Sequence, residues 1–250
     1  MDDGFMIYNG NFLFHYTKFE SALKIIASRT LLFSSFDNMN DIAEVKREVF
    51  GKIPAEKILK ELEEYQSISF TIDEQYQRGF SIAPLWGYYA QKGNGVCLVF
   101  DKKKVENIVK MQFGTRAVMR PIDYLSDFSN AIFAEGNSGK EVKKIVEENI
   151  ENIFFRKAID WKFEQEYRIL LKKGDTQNIL KLNEDAFIAV ILCLPKSDDY
   201  KTTSEYKILK GLLSTLPILH YTTKLGNDEL LDEKGEKTCN IINRDVQLDV

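Results

Sequence analysis

Cysteine is scarce in this 250-residue chain: Cys97, Cys193 and Cys239 occur singly, with no C-x-x-C. An odd, widely spaced set does not read as a disulfide framework, and a reducing intracellular compartment is expected. Cys97 and Cys193 lie in the apolar runs GVCLVF and AVILCLP, where a thiol packs as a small hydrophobe. Histidine is rarer still. His15 and His220 are the only two, too few and too far apart for the compact ligand spacing of a zinc site, so no metal is expected. No stretch approaches the roughly 18 uncharged apolar residues of a membrane span, and the opening MDDGFMIYNG is acidic where a secretion signal is basic. A cytoplasmic protein with no membrane partner is expected. Neither sign of charge dominates: 34 Lys and Arg face 38 Asp and Glu, for a net charge of -4. No global basic field draws the chain to nucleic acid. No G-x-G-x-x-G follows a strand, and Glu135 to Glu141 only imitates a phosphate-binding loop, because Ala134 and Glu141 stand at positions that such a loop gives to Gly and Ser/Thr.

The composition is that of a globular chain, 44% hydrophobic and 29% charged. Asn11 to Thr17 alternates, with Leu13, His15 and Thr17 on one face and Phe12, Phe14 and Tyr16 on the other, which predicts a strand. Phe19, Ala22, Leu23 and Ile26 predict a short amphipathic helix over Lys18 to Ser28. Thr30 to Phe36 reads as a strand and Glu56 to Tyr65 as a helix. Ser67 to Thr71 reads as a strand, and Pro84 opens a helix running to Lys92. Val96 to Phe100 is a buried strand, and Val142 to Phe154 carries one long helical stripe. Further strands are expected at Glu164 to Lys172, Ala186 to Leu194 and Ile218 to Thr222, with a helix at Tyr206 to Leu213. Elements mix without a regular βαβ rhythm, so the fold class is α+β: a single domain over 1–225, with core 12–222, and a split or bent, mostly antiparallel sheet flanked by helices. Residues 102–156 form a helical insertion, and 226–250 an acidic, loosely attached tail.

The most informative segment is Trp161-Lys-Phe-Glu164-Gln-Glu166-Tyr-Arg168. On a strand, period two puts Glu164, Glu166 and Arg168 on one face. Two readings stay open there: a solvated strand face with an Arg–Glu pair, or a carboxylate at the floor of a cleft that stabilises positive charge developing on a sugar. His15 shares a face with Thr17. Trp86, Tyr88 and Tyr89 sit on a short helix, where aromatics commonly form core. Asp41 and Glu44 in Asn38 to Glu44 form a capping box. Ser34 and Ser35 end a strand, which accounts for their polarity.

Taken together, His15-Tyr16-Thr17, Asn40-Asp41-Ile-Ala-Glu44, Trp86-Gly-Tyr-Tyr89-Ala90, Gly95 to Asp101 and Trp161 to Arg168 resemble a large bacterial domain family of unknown function. The same order resembles the ADP-ribosyltransferase superfamily in its His-Tyr-Glu branch. That resemblance implies an ADP-ribosyltransferase-like fold with NAD as substrate. His15 and Thr17 would hold the dinucleotide, with Trp86 and Ser34 counted in the same binding set. Tyr89, or its neighbour Tyr88, would stack on the nicotinamide. Glu166 would stabilise the oxocarbenium-like transition state, and Glu164 would orient an acceptor, a protein or a nucleic acid. Tyr16 stands where many transferases have Gly, so its side chain must point away from the cleft. Such chemistry needs a gripped dinucleotide, an aromatic platform and one carboxylate, and no metal. The resemblance also admits a toxin or defence effector, an NAD hydrolase with water as acceptor, and a non-catalytic nucleotide- or protein-binding domain.

Overall fold

A computed structural model of the chain describes residues 11–36, 48–74, 77–127, 131–134, 139–174, 178–193, 200–213, 216–224, 227–231 and 234. It is a mixed α/β fold with mostly antiparallel strand pairing. The chain divides into two compact units, each gathered from separated stretches of sequence. The first takes Met1–Thr30, Phe70–Val105 and Lys181–Val250; the second takes Leu31–Ser69 and Glu106–Leu180. Among the described residues, no helix is long and apolar enough to cross a membrane.

The first unit is built around strand Val96–Asp101. Val96, Cys97, Leu98, Val99 and Phe100 are all fully buried, which is why this run is continuously apolar rather than alternating. Strand Phe12–Thr17 lies antiparallel on one side, with His15 opposite Leu98 and Tyr16 opposite Cys97. On the other side lies antiparallel Phe187–Leu192, with Ile191 opposite Cys97. Ile218–Lys224 joins Phe187–Leu192 in parallel. Residues expected to form a loose tail instead add a strand, Asn227–Leu231, antiparallel to Ile218–Lys224. Leu230 is its buried anchor; the acidic composition of the neighbouring residues hides this short apolar pair.

Helix Phe19–Ser28 follows the first strand. Helix Ala83–Tyr88, with proline in its first turn, carries Trp86 into the core. The Trp86 ring stacks on Tyr221 at 5.7 Å and takes the edge of Tyr16 at 5.1 Å, while its indole N–H donates to the Phe80 carbonyl at 2.8 Å. This helix stops at Tyr88 rather than Lys92, because Gln91, Lys92 and Gly93 all have positive φ, which a right-handed helix cannot continue.

In the second unit, Glu166–Lys172 pairs antiparallel with Ala117–Pro121, Arg168 opposite Arg120. Ser34–Ser35 pairs with the start of Tyr65–Thr71, Ser34 opposite Ser67. Two parallel pairs complete it: Glu48–Gly51 with Ala131–Ala134, and Arg156–Ala158 with Asp123–Leu125. A separate core of Ile58, Tyr65, Val146, Phe154, Phe155 and Leu170 holds these strands against helices Ala55–Leu62 and Gly139–Glu148.

The stripe expected as one helix over Val142 to Phe154 is two helices, Gly139–Glu148 and Ile150–Phe154. Asn149 divides them: its side-chain amide donates to the Ile145 carbonyl at 2.9 Å, a local bond that competes with helix continuation. The stretch 102–156 is no purely helical insertion either, since it contributes the strands Ala117–Pro121, Asp123–Leu125 and Ala131–Ala134. The strand expected over Glu164 to Lys172 starts at Glu166, after a 3-10 helix Ile159–Glu164. The capping box at Asn38 to Glu44 and the segment 135–138 lie outside the described residues.

Two substitutions probe the first unit. Phe100 packs between the Phe187 ring at 4.9 Å and the Phe70 ring at 5.9 Å, so Phe100→Ala is expected to cost about 3–5 kcal/mol in urea denaturation. Gly87 lies in a helix with nothing within 4 Å of an added Cβ, so Gly87→Ala is expected to stabilise by about 0.5–1 kcal/mol.

Candidate functional site

The motif Trp161 to Arg168 folds as a turn of 3-10 helix followed by a strand. Gln165 adopts φ 47° and ψ 46° at the junction, where the 3-10 turn gives way to the strand. Glu164 thus sits at the end of the helical turn, while Glu166 and Arg168 share one face of the strand. The face is not solvated. Glu164 is 5%, Glu166 3% and Arg168 0% exposed. Their burial overturns the reading as an exposed strand face.

Glu166 is enclosed by donors. Its Oε1 accepts from the Ser69 hydroxyl at 2.6 Å and from Arg168 Nε at 2.7 Å. Its Oε2 accepts from Arg168 Nη2 at 3.0 Å and lies 2.7 Å from Lys157 Nζ. The same Lys157 ammonium donates to Glu164 Oε2 at 2.7 Å and lies 5.7 Å from the centre of the Trp161 ring. Arg168 also donates to the Phe154 carbonyl, and its guanidinium stands 5.4 Å over the Phe36 ring. The Glu166 main-chain N–H donates to the Tyr124 hydroxyl at 2.9 Å. Burial by itself raises the Glu166 carboxyl pKa, but Arg168 and then Lys157 outweigh it and hold the group well below the ordinary carboxylate range. Burial pushes the Tyr124 hydroxyl above its usual value. Among the described residues, two cationic and two carboxylate side chains thus meet in one buried cluster. Tyr167, on the opposite strand face, donates its hydroxyl to Glu106 at 2.6 Å.

Ser34 also lies in this unit, exposed, opposite Ser67. The Ser67 hydroxyl is buried and has no hydrogen-bond partner among the described residues.

The other four predicted residues lie in the first unit. His15 is half-buried with its ring 5.7 Å from that of Phe70. Thr17 closes the first strand, and its carbonyl oxygen stands where a Cβ on Gly95 would clash with it. The segment after helix Ala83–Tyr88 is therefore seated directly on the end of the first strand. Gln91 Oε1 secures the contact by accepting the Phe19 N–H at 3.1 Å. The fold thus draws His15-Tyr16-Thr17 together with the segment leaving Tyr89. Tyr88 is 67% exposed, and Tyr89 is half-buried with its ring 6.5 Å from that of Tyr88. Trp86 is core. Tyr16 is buried, donating its hydroxyl to the Gly79 carbonyl at 2.6 Å, and burial raises its pKa well above the usual value. Its ring lies in the core against Trp86.

Sequence reasoning missed Lys157, Ser69 and Tyr124. The signal for Lys157 was a lysine with an apolar run, Ile153 to Phe155, just before it. Its partners arrive by strand pairing, which spacing along the chain does not show. Among the described residues, no group of three or more His, Cys, Asp or Glu is placed to hold a metal ion.

The depressed Glu166 pKa has a consequence for acid stability. Above the ordinary carboxyl value of 4.5, the group is ionised folded and unfolded, and its contribution is complete. As pH falls below that value the unfolded chain takes up a proton that the folded one refuses, so the contribution is lost progressively. Glu166→Gln is expected to cost about 3–5 kcal/mol at pH 7. It should also flatten the loss of stability below pH 4.5 by about one proton, or about 1.4 kcal/mol per pH unit, in urea titrations at stepped pH. Gly95→Ala, whose Cβ meets main-chain atoms of both Thr17 and Ala90, is expected to lower the melting temperature by several degrees, corresponding to about 1–3 kcal/mol.

Residues 85–169 match the model of a family described as a protein of unknown function, DUF2971. The matched segment begins in helix Ala83–Tyr88 and ends in strand Glu166–Lys172, taking in Trp86, Tyr89, Lys157, Glu164, Glu166 and Arg168. Comparison with curated proteins and with solved structures gives no match. The segment is similar to a domain family of unknown function, as its motifs suggested.

Proposed function

We propose that this chain is an ADP-ribosyltransferase-like enzyme that binds NAD, cleaves its nicotinamide–ribose bond and passes ADP-ribose to a protein or nucleic-acid acceptor. The observation that supports this reading is the seating of the segment after Tyr89 on the end of the His15-Tyr16-Thr17 strand, through Gly95 and Gln91. It gathers polar strand-end groups and accessible aromatic rings within one unit, which suits a planar heterocycle with a ribose attached. Glu166 supports it by its place, at the start of a strand and followed by Tyr167, and by being held ionised. A fixed negative charge favours a sugar cation developing at the anomeric carbon.

One observation favours a second reading, a non-catalytic nucleotide- or protein-binding domain. Both Glu166 oxygens are already engaged by Arg168, Lys157 and Ser69. A carboxylate so neutralised offers little charge to a substrate unless one cation is released.

The test is nicotinamide release from NAD by wild-type protein, Tyr89→Ala and Glu166→Gln, each first shown to be folded by its melting transition, with and without cell lysate. The enzyme reading expects wild-type release that Glu166→Gln lowers about 10²–10³-fold, as for loss of one transition-state charge contact, and that Tyr89→Ala lowers mainly through KM. Release without lysate identifies water as acceptor. No release under any condition, with no shift of the wild-type melting temperature by NAD, would leave the binding-domain reading standing.

A further inference from the structure

We propose that Lys157 is the positioning residue of the Glu164–Glu166 pair, a single ammonium onto which both carboxylates are locked. Its Nζ lies 2.7 Å from an oxygen of each, so those two oxygens are separated by no more than twice that distance. Two carboxylates so close do not both stay charged without a cation between them: one takes up a proton, or the pair moves apart. Lys157 is itself 5% exposed, so it is a built part of the interior rather than a surface lysine that has swung in.

The strand pairing shows how it is delivered. Arg156–Ala158 runs parallel to Asp123–Leu125, with Lys157 opposite Tyr124. Both members of that cross-strand pair reach Glu166, Tyr124 by its hydroxyl at the main-chain N–H and Lys157 at the carboxylate. One register thus fixes the residue at its backbone and at its side chain. The Trp161 ring stands 5.7 Å from the ammonium, a cation–π contact that helps keep it in place. Among the described residues, the charged and titratable groups facing Glu166 are Arg168 on its own strand, Lys157 and Tyr124 from the parallel pair, and Glu164 from the preceding helical turn, with the Ser69 hydroxyl beside them. Arg168 binds Glu166 through two nitrogens, and Lys157 bridges Glu166 to Glu164.

The catalytic consequence rests on the NAD reading, but the lock itself does not, and the experiment separates the two. Lys157→Met, Lys157→Arg and the charge-balanced double variant Lys157→Met with Glu164→Gln are compared by urea denaturation and by NMR titration of ¹³C-labelled glutamate carboxyls. In Lys157→Met a glutamate is expected to titrate clearly above the ordinary 4.5, at a higher pH than in the wild type measured alongside. The double variant and Lys157→Arg are expected to lose that titration. The urea midpoint of Lys157→Met is expected to fall below that of the double variant, although the latter carries one substitution more. If Lys157→Met does not fold and the double variant does, the lock is supported. A wild-type glutamate titration in Lys157→Met, or a double variant no more stable than the single one, would overturn it. Where wild-type protein releases nicotinamide, the acid limb of its pH–rate profile is expected to move upward in Lys157→Met. Absence of release counts against the NAD reading and leaves the titration to decide the lock.

Discussion

Glu166 sets the terms for the second unit because a carboxylate removed from water must have its charge balanced and its acceptor sites filled from within the protein. Each donor that meets this demand is also tied to something else. Arg168 reaches from the same strand to the Phe154 carbonyl, at the end of a short helix. Lys157 comes from a parallel strand pair whose other member supplies Tyr124. Ser69 comes from Tyr65–Thr71. Strand, helix end and parallel pair therefore converge on one side chain, and the apolar cluster of Tyr65, Phe154, Phe155 and Leu170 packs around them. Ion pairs of this kind add little net stability over an apolar replacement, yet removing a single member leaves an uncompensated buried charge. That asymmetry makes the cluster hard to change one residue at a time.

The first unit is organised differently, by apolar area and close main-chain approach. Its central strand is buried on both faces, and its aromatic residues interlock: Trp86 against Tyr221 and Tyr16, Phe100 against Phe70 and Phe187. Polar groups enter in few places. Asp73 accepts from Arg78 and from the Gly79 N–H, and Gly79 returns its carbonyl to Tyr16. Burial raises the Asp73 pKa against the pull of Arg78, opposite in direction to Glu166, which has two cations at hand. Burial likewise pushes the Cys193 thiol up to about 11, the behaviour of a structural rather than a reactive cysteine.

The sequence was legible wherever one residue's neighbours along the chain decide its state. The run Val96 to Phe100 could only be a buried strand, and the alternation in Phe12 to Thr17 marked a strand with Tyr16 and His15 on opposite faces. It was illegible where local chemistry interrupts a pattern. The apolar stripe through Val142 to Phe154 is continuous, but the Asn149 amide bonds back to Ile145 and splits it. Gln165, in the left-handed region, joins a 3-10 turn to the strand, so Glu164 lies before the strand that period-two counting gave it. The candidate site showed the same division. Glu166 and Arg168 stood out as charges in an apolar strand, whereas Lys157 became meaningful only through a parallel pairing with Tyr124, a partner 33 positions away.

The two units interleave along the chain, and this bears on how the protein is made. The central strand of the first unit has one neighbour in Phe12–Thr17 and the other in Phe187–Leu192. On the ribosome its second edge therefore stays open until some ninety further residues have emerged, as the numbering shows. The larger stretch of the second unit, Glu106 to Leu180, is synthesised in that interval. An unpaired, fully apolar strand edge is the kind of surface that recruits other chains. The nascent protein thus has a long window of exposure to chaperones or to its own copies, and cutting the gene at the limits of the family match would divide the first unit rather than release a domain.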